Sequence, residues 1–285
     1  LISRPYQEAD VMGMKKSVWT TPEKEKGGRP DPGGGDKVKV YFGFQRVRAR
    51  EKTRLVRDHF NTVAQKYDLM NTLLSFGIHY LWKRVAVKQL GLGAGDSVID
   101  VCGGTGDLSV LAVKKLGPSG TVVLYDINRA MIETGRNKST HAAARKAIRY
   151  VQGDAERLSF RSESFDAALV GFGMRNVTHM EEGFREMYRI LKPGGRFICL
   201  EFSRPTAPWF RRLYDFYSFA VMPLLGVLVA GSRQAYTYLP ESIRMFPSPA
   251  ELAALLEKIG FQHVTYRALT NGIAVVHKGI KKESP

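Results

Sequence analysis

From Gly91 onward, short apolar runs rich in valine and isoleucine alternate with stretches of helical periodicity. Ser97 to Val101, Thr121 to Tyr125, Ile148 to Val151, Phe165 to Val170 and Arg196 to Leu200 predict strands. Leu108 to Lys115, Arg129 to Arg136 and Met180 to Leu191 predict the helices between them. Strands that read as unbroken apolar runs are buried on both faces, and their alternation with helices specifies a parallel, doubly wound α/β sheet with helices on both sides. Ser248-Pro249-Ala250-Glu251 opens a further helix, with serine as N-cap, proline at the first helical position and glutamate three residues after the cap. His263 to Leu269 and Ile273 to His277 predict two closing strands, which makes the sheet seven-stranded.

Upstream the pattern differs. Residues 1–40 hold Pro22, Pro30, Pro32, the run Gly33-Gly34-Gly35 and scattered charges without apolar periodicity, and read as a disordered tail. Leu1 in place of a methionine reads as a processed or truncated start, while Glu8, Asp10, Glu23 and Glu25 argue against an acid-poor transit peptide. Residues 41–90 read as an N-terminal helical element, charged from Arg46 to Arg57 and then apolar and aromatic at helical spacing from His59 to Trp82. Residues 91–280 form the α/β domain, interrupted after its fifth strand by a helical insertion, 203–247. This is the most aromatic stretch of the chain, with Trp209, Phe210, Tyr214, Phe216, Tyr217 and Phe219. It reads either as helix packing or as an apolar lid over a greasy substrate.

With 44% hydrophobic and 25% charged residues, the 285-residue chain can bury a large core without disulfides or structural metal. The two cysteines, Cys102 and Cys199, each lie in an apolar run, which excludes a disulfide framework and points to a reducing compartment. No apolar run reaches the ~18–20 residues of a membrane span. The longest, Phe219 to Ala230, is broken by Pro223 and Gly226. Lys+Arg outnumber Asp+Glu by 43 to 27, a formal charge of +16, for which nucleic acid, an anionic membrane surface and plain solubility compete.

The chemistry begins where the first sheet strand ends. Val98-Ile99-Asp100-Val101 runs into Cys102-Gly103-Gly104-Thr105-Gly106-Asp107 and then a helix, the place where an open α/β sheet holds a nucleotide. The next strand ends at Asp126, placed to accept hydrogen bonds from ribose hydroxyls. The loop lacks the Lys-Ser or Lys-Thr of a P-loop, and Asp107 would repel a pyrophosphate. S-adenosylmethionine has no phosphate and carries a sulfonium cation, so acids around this loop favour it. After the third strand, Gln152-Gly153-Asp154-Ala155 supplies a carboxylate that can accept from the adenine amine, or that serves only its own turn. After the fourth, Gly171-Phe172-Gly173-Met174-Arg175-Asn176-Val177 puts Arg175 and Asn176 at the mouth of the sheet, where a substrate would sit.

Tyr67-Asp68-Leu69-Met70-Asn71, followed by Ser75, His79 and Trp82, resembles the first signature of the ubiquinone/menaquinone biosynthesis C-methyltransferases. Arg189-Ile190-Leu191-Lys192-Pro193-Gly194-Gly195, with Glu201 and Ser203, resembles the second. The glycine loop, Phe172 to Thr178 and Glu241-Ser242-Ile243-Arg244 match as well, so the resemblance covers about Tyr41 to Lys278. It implies a class I methyltransferase (Rossmann-like) fold. It also implies methyl transfer from S-adenosylmethionine to a ring carbon of a polyprenylated quinol, either demethylmenaquinol or 2-polyprenyl-6-methoxy-1,4-benzoquinol. Thr105, Asp126, Asp154 and Ala155 stand at the family's cofactor-contact positions and, with Gly103, Gly104, Gly106 and Gly171, make up the expected cofactor site. Two positions depart from some members: Gly171 replaces a serine, removing a side-chain hydrogen bond, and Asp154 replaces an asparagine, keeping an acceptor and adding charge.

Methylation at carbon needs an electron-rich ring, most simply made by removing the proton of the activating hydroxyl, so a base or an anion-stabilising group must be near. Arg175 stays protonated and is expected to stabilise the phenolate, with water or Asp154 taking the proton and Asn176 beside it. Tyr67 and His79 are further candidates: the tyrosine orients substrate or packs, and the histidine titrates near neutral pH or is structural. No cluster has metal-site spacing. A polyprenyl quinol lives in the bilayer, so the expected partners are the quinol and an anionic membrane surface, to which each nearby Lys or Arg contributes about 1 kcal/mol. Trp209-Phe210-Arg211-Arg212 pairs aromatic with basic residues as an interfacial segment does. The expected location is the inner face of a membrane, cytoplasmic in a bacterium or in the matrix of a mitochondrion. Other enzymes of quinone biosynthesis and a second copy of the chain are further candidate partners, and nucleic acid is not expected. Two rival readings exist. An RNA methyltransferase would use the charge but calls for an RNA-binding module that is not evident. A non-catalytic quinone-binding scaffold has no need of an intact Gly104, Gly106 and Asp126.

Overall fold

The computed structural model describes residues 39–138, 141–227 and 233–283. The segment read as a disordered tail lies outside these residues up to position 38, as does the end of the Phe219 to Ala230 run beyond Val227. Lys39 and Val40, assigned to the tail, instead open a two-stranded hairpin, β1 (Lys39–Phe42) and β2 (Gln45–Arg48). Gly43 turns it at a φ of 58°, a left-handed conformation natural to glycine. The N-terminal element, read as helical throughout, therefore starts in β structure. Helices α1 (Ala49–Val63), α2 (Tyr67–Leu74) and α3 (Ile78–Leu90) follow.

The sheet contains β3 (Ser97–Val101), β4 (Thr121–Asp126), β5 (Ile148–Gln152), β6 (Phe165–Gly171), β7 (Leu191–Phe202), β8 (Phe261–Leu269) and β9 (Ala274–Lys281). Their spatial order is β5-β4-β3-β6-β7-β9-β8. The first five are parallel, while β9 runs antiparallel to both β7 and β8. Alternate residues feed two cores, because side chains along a strand alternate between faces. Val98, Leu169 and Ile198 pack with α3 and with α4 (Asp107–Leu116). Ile99, Val170 and Phe197 pack on the other face with α6 (Met180–Ile190) and α10 (Pro249–Ile259). Helix α10 starts in the capping box read from Ser248 and Glu251, and α5 (Arg129–Asn137) is capped by the Asn128 side chain.

Strand order reverses between β3 and β6, so connections leave the sheet in opposite directions and open a crevice at the carboxyl ends of the strands. The insertion holds α7 (Pro208–Phe216), a π-helical stretch (Tyr217–Val221), α8 (Met222–Leu225) and α9 (Arg233–Met245). Pro223 has no N–H to give and its ring crowds the preceding turn, which is a physical reason for the widened π turn just before it. Glu241 and Arg244 of α9 tie the insertion down. The Glu241 carboxylate accepts from the Phe44 N–H at 3.2 Å, and Arg244 pairs with Asp215 while stacking on Phe219. No helix among the described residues is long and apolar enough to cross a membrane.

Candidate active site

The crevice is an open-mouthed cleft of about 90 Å³, floored by the loops after β3, β4, β5 and β6. Asp126 stands at its edge with both oxygens oriented by backbone: Oδ2 accepts from Gly104 N at 2.8 Å and Oδ1 from Asn128 N at 2.7 Å. Each oxygen keeps a lone pair for a ribose hydroxyl. Burial pushes this carboxyl up to about 6, against the two backbone donors. Behind it Asp100 is fully buried, with Oδ2 accepting from Ser109 Oγ at 2.6 Å and Oδ1 without a partner. Burial pushes Asp100 up to about 7.

The floor has no room for side chains. A Cβ on Gly153 would lie 2.0 Å from the Tyr125 hydroxyl, and one on Gly173 would lie 2.4 Å from Cys102 Cβ. At Gly171 the space belongs to Leu108, whose Cδ1 would be 2.3 Å from an added Cβ, so the missing serine is replaced by packing. Cys102 and Phe172 hold left-handed backbone conformations, φ 55° and 58°, on the two sides of the switch point. Such strain in non-glycine residues collects where function over-determines the backbone.

Helix α1 roofs the cleft with Val56, Arg57 and Phe60. It is pinned at one end by Asn128 Nδ2, which donates to Arg57 O and Asn61 Oδ1. At the other, Lys52 Nζ donates to Val177 O at 3.0 Å. The cleft thus offers an oriented carboxylate for ribose, Asp154 on its lining for an amine, further acids nearby for a cation and a roof that is apolar but for Arg57. These groups fit S-adenosylmethionine and repel a pyrophosphate.

Of the residues expected to bind cofactor, Gly104, Asp126, Asp154, Ala155 and Gly171 line the cleft. Gly103, Thr105 and Gly106 support it from behind. Gly103 N donates to Tyr125 O, and Gly106 adopts φ 87° at the N-cap of α4. Thr105 Oγ1 donates to Asp68 Oδ1 at 2.8 Å. The Tyr67-Asp68 motif is thereby explained: Asp68 ties the start of α2 to the glycine loop, and Tyr67 is left on the cleft wall. The tie extends through ion pairs that the sequence did not reveal. Lys138 Nζ lies 2.5 Å from Asp68 Oδ2 and 3.0 Å from Asp107 Oδ1, and Lys83 Nζ lies 2.6 Å from Asp107 Oδ2.

A second cavity, about 420 Å³ and almost wholly apolar, adjoins the first. Tyr67 and Phe172 line both. Its walls are Trp82, Phe202 and the inner faces of α2, α3, α7 and α9. Phe172 stacks on Phe202 at 4.3 Å, and Trp82 Nε1 donates to Thr270 Oγ1 at 2.8 Å. Phe210, Tyr214 and Tyr217 of the aromatic insertion line this chamber. His79 lines it too. Thr72 Oγ1 donates to Asp68 O, so the His79 Nε2 contact at 3.3 Å is read with the ring donating to Thr72, which leaves Nδ1 an unpartnered acceptor. Burial, helped by the Lys83 charge, pulls this imidazole down to about 4. Titration near neutral pH, expected from its residue type, is thus moved out of that range.

Asn176 lines the cofactor cleft and accepts from the Tyr238 hydroxyl at 3.0 Å. Tyr238 stacks on Phe42, so the hairpin braces the site through this tyrosine. Arg175 is placed otherwise than expected. Its guanidinium is not among the groups lining either cavity; Nη1 donates to Phe172 O and, at 2.8 Å, to Glu201 Oε1, and Nε is buried without a partner. Its charge is spent on a carboxylate that is itself fully buried.

A strand-order reversal with an acid-lined, phosphate-averse cleft at its carboxyl edge defines a class I S-adenosylmethionine-dependent methyltransferase. Solved methyltransferases share the architecture at low identity. One is a Thermotoga maritima S-adenosylmethionine-dependent methyltransferase described as a possible histamine N-methyltransferase (TM-score 0.56, 23% identity, covering 80% of this chain and 100% of that one). Another is Haemonchus contortus phosphoethanolamine N-methyltransferase 2 in complex with S-adenosyl-L-methionine (TM-score 0.58, 14% identity, 80% and 60%). Residues 47–281 match the model of the ubiE/COQ5 methyltransferase family. A ubiquinone/menaquinone biosynthesis C-methyltransferase UbiE of Pseudomonas entomophila is 46% identical over 88% of this chain and 99% of its own length. One of Pseudomonas putida is 47% identical over 85% and 94%. The chain belongs to the ubiE/COQ5 methyltransferase family; it is a C-methyltransferase whose methyl donor is S-adenosylmethionine. Neither the RNA-methyltransferase reading nor the scaffold reading is favoured by these relatives.

Proposed function

We propose that the chain methylates a ring carbon of a polyprenylated quinol, the benzoquinol or naphthoquinol ring entering from the apolar chamber to meet the methyl donor at the Tyr67–Phe172 wall. The observation that carries this reading is the shared wall: a polar, acid-lined cleft and an apolar chamber that touch at two residues. S-adenosylmethionine supplies an electrophilic methyl group. The protein's part is to orient and exclude water. Asp126 holds the ribose, Asp154 accepts from the adenine amine, and the backbone of Gly104 approaches the donor closely. Tyr67 and Asn176 bound the reacting ring on the cleft side. His79 Nδ1 accepts a hydrogen bond from a ring hydroxyl, raising electron density on the ring without taking a full charge; as the methyl–sulfur bond breaks and the methyl–carbon bond forms, the proton lost from the ring passes to water. Arg175 acts as a positioning residue through Glu201 and Phe172.

A substrate whose tail dissolves in lipid makes an anionic membrane surface the second partner, and the net charge of +16 suits it. The corresponding location is the inner face of the membrane that holds the quinol. Incubation with labelled S-adenosylmethionine and either a demethylquinol or bulk RNA tests the reading. Label is expected in the quinol, and label in RNA alone would overturn it.

A further inference from the structure

Large apolar side chains left exposed are gathered in two places. Of thirteen such residues among the described ones, twelve fall within Leu69–Leu81 or Trp209–Val227, and Tyr266 is the exception. The two stretches meet: the Tyr217 hydroxyl donates to Leu74 O at 3.0 Å, and the Phe76 and Tyr217 rings lie 6.2 Å apart.

In the insertion the exposed residues form a stripe. Trp209, Leu213, Phe216, Ala220, Leu224 and Val227 follow at steps of four, three, four, four and three. Two successive steps of four keep to one face because they cross the π-helical stretch, whose turns are wider. The result is an apolar ridge about 25 Å long that has no partner among the described residues. Phe76, at the turn between α2 and α3, is 84% exposed and holds φ 50°. A bulky residue in the left-handed region that displays most of its ring to solvent is strained and gains only a tilted contact with Tyr217 in return.

The mouth of the apolar chamber opens between these stretches, since Phe76, Ile78 and Leu213 are at once exposed and on its lining. Basic side chains flank the apolar zone. On α3 the exposed face runs from Ile78 and Leu81 to Arg84 and Lys88, and Arg212 is exposed beside Trp209. Apolar tip followed by basic belt is the order a lipid interface selects.

We infer that the ridge from Trp209 to Val227 and the Phe76 turn are the face by which the protein lies on an anionic bilayer leaflet, with the chamber mouth opening into the lipid. A chamber of about 420 Å³ holds a ligand of ordinary small-molecule size, so a long prenyl tail extends beyond it. With this face in the leaflet, the ring enters while the rest of the tail stays among acyl chains. A second copy of the chain seated on the ridge would close the same mouth, which favours lipid as the occupant. Only the passage of the tail rests on the quinol reading; the docking face stands on the exposed residues themselves.

The test is co-sedimentation of the full chain with vesicles of mixed phosphatidylglycerol and phosphatidylcholine. Trp209→Ser/Phe216→Ser/Leu224→Ser alters three exposed residues that do not line the chamber, and should lower the vesicle partition coefficient at least tenfold. Phe76→Asn, which suits the left-handed backbone, should lower it at least threefold. Turnover of a short-tailed quinol in vesicle-free buffer should be unchanged in the triple variant. Failure of the parent to bind these vesicles, or equal binding by parent and triple variant, overturns the inference. So does conversion of a dimer to a monomer by the triple substitution with vesicle binding intact. A parent that binds vesicles through this face but leaves every quinol unmethylated would instead overturn the substrate reading and leave the docking face standing.

Discussion

The guanidinium of Arg175 lies 2.8 Å from the carboxylate of Glu201, and both are withdrawn from solvent between the cofactor cleft and the apolar chamber. A buried pair of this kind contributes little net stability over an apolar pair, yet removing one partner strands the other charge at a cost of about 3–5 kcal/mol. The arginine also donates to Phe172 O and lies over the Phe202 ring, so the pair holds the wall that both cavities share.

Arg175→Gln and Glu201→Gln should therefore behave alike, since each strands the other's charge. Each should lower the midpoint of thermal unfolding and weaken both cofactor affinity and turnover, and the double variant should lose less than the sum of the two. An Arg175→Lys variant with parental stability and cofactor affinity but turnover down by roughly 10²–10³ would show instead that Arg175 touches the developing phenolate.

Asp126 is the next handle. Asp126→Ala should weaken S-adenosylmethionine binding by about 1.5–3 kcal/mol through lost charge-assisted hydrogen bonds. It should also destabilise the free protein, because the N–H groups of Gly104 and Asn128 lose their acceptor. The pH dependence has a definite sign. Folding raises this carboxyl from 3.8 to about 6, so the folded chain binds the proton more tightly than the unfolded one. The stability penalty of the ionised group is complete above about 6 and fades as pH falls towards 4; Asp100, raised to about 7, acts in the same direction. Cofactor binding uses the ionised form and should weaken below about pH 6. Calorimetry at pH 8 and 5.5 should find the two trends opposed in the parent, with the affinity trend absent from Asp126→Asn.

Much of this site was legible because its parts are local. Val98 to Val101, the glycine loop and Asp126 are a strand, a turn and a strand end, each announced by its own residues. The capping box at Ser248 was equally plain. The hairpin was not, for Gln45-Arg46-Val47-Arg48 carries charge at two of four positions and a polar amide at a third, and so lacks an apolar strand signature. Nor was the destination of Arg175, since Glu201 is 26 residues away on β7. Sequence spacing can place an arginine at a sheet mouth; only the packed fold decides whether its charge faces substrate or a buried carboxylate.

His79 gives a prediction opposite to its residue type. An imidazole pulled down to about 4 stays neutral throughout the assay range, so quinol methylation should show no inflection near 6.5 attributable to it. Burial sets its charge state, while Lys83 and Lys138 act to lower its pKa and Asp107 and Asp68 to raise it. His79→Phe should reduce kcat for the quinol by about tenfold or more, as loss of a positioned acceptor does, with cofactor affinity unchanged. A pH–rate step near neutrality that disappears in His79→Phe would show the histidine cycling its proton.

The ion pairs around Asp107 predict how the cofactor is released. Lys138 joins Asp68, on α2, to Asp107, at the start of α4, and Thr105 of the glycine loop donates to the same Asp68. If cofactor exchanges beneath the roof of α1 by parting of the N-terminal helices from the glycine loop, the Lys138 and Thr105 ties to Asp68 are the contacts that must yield. Lys138→Met leaves Asp107 paired with Lys83 but leaves Asp68 without its cation, so the sheet should keep its stability while the α1–α2 segment loosens. Local openings of this kind are read by amide hydrogen exchange. Residues 49–74 should exchange at least several-fold faster in the variant, and S-adenosylmethionine should dissociate faster by a similar factor. Because the pairs are largely withdrawn from solvent, raising salt should reproduce little of this effect in the parent. Unaltered exchange across residues 49–74, together with an unaltered dissociation rate, would mean that the roof is held by its apolar contacts and that the ion pairs serve only the loop.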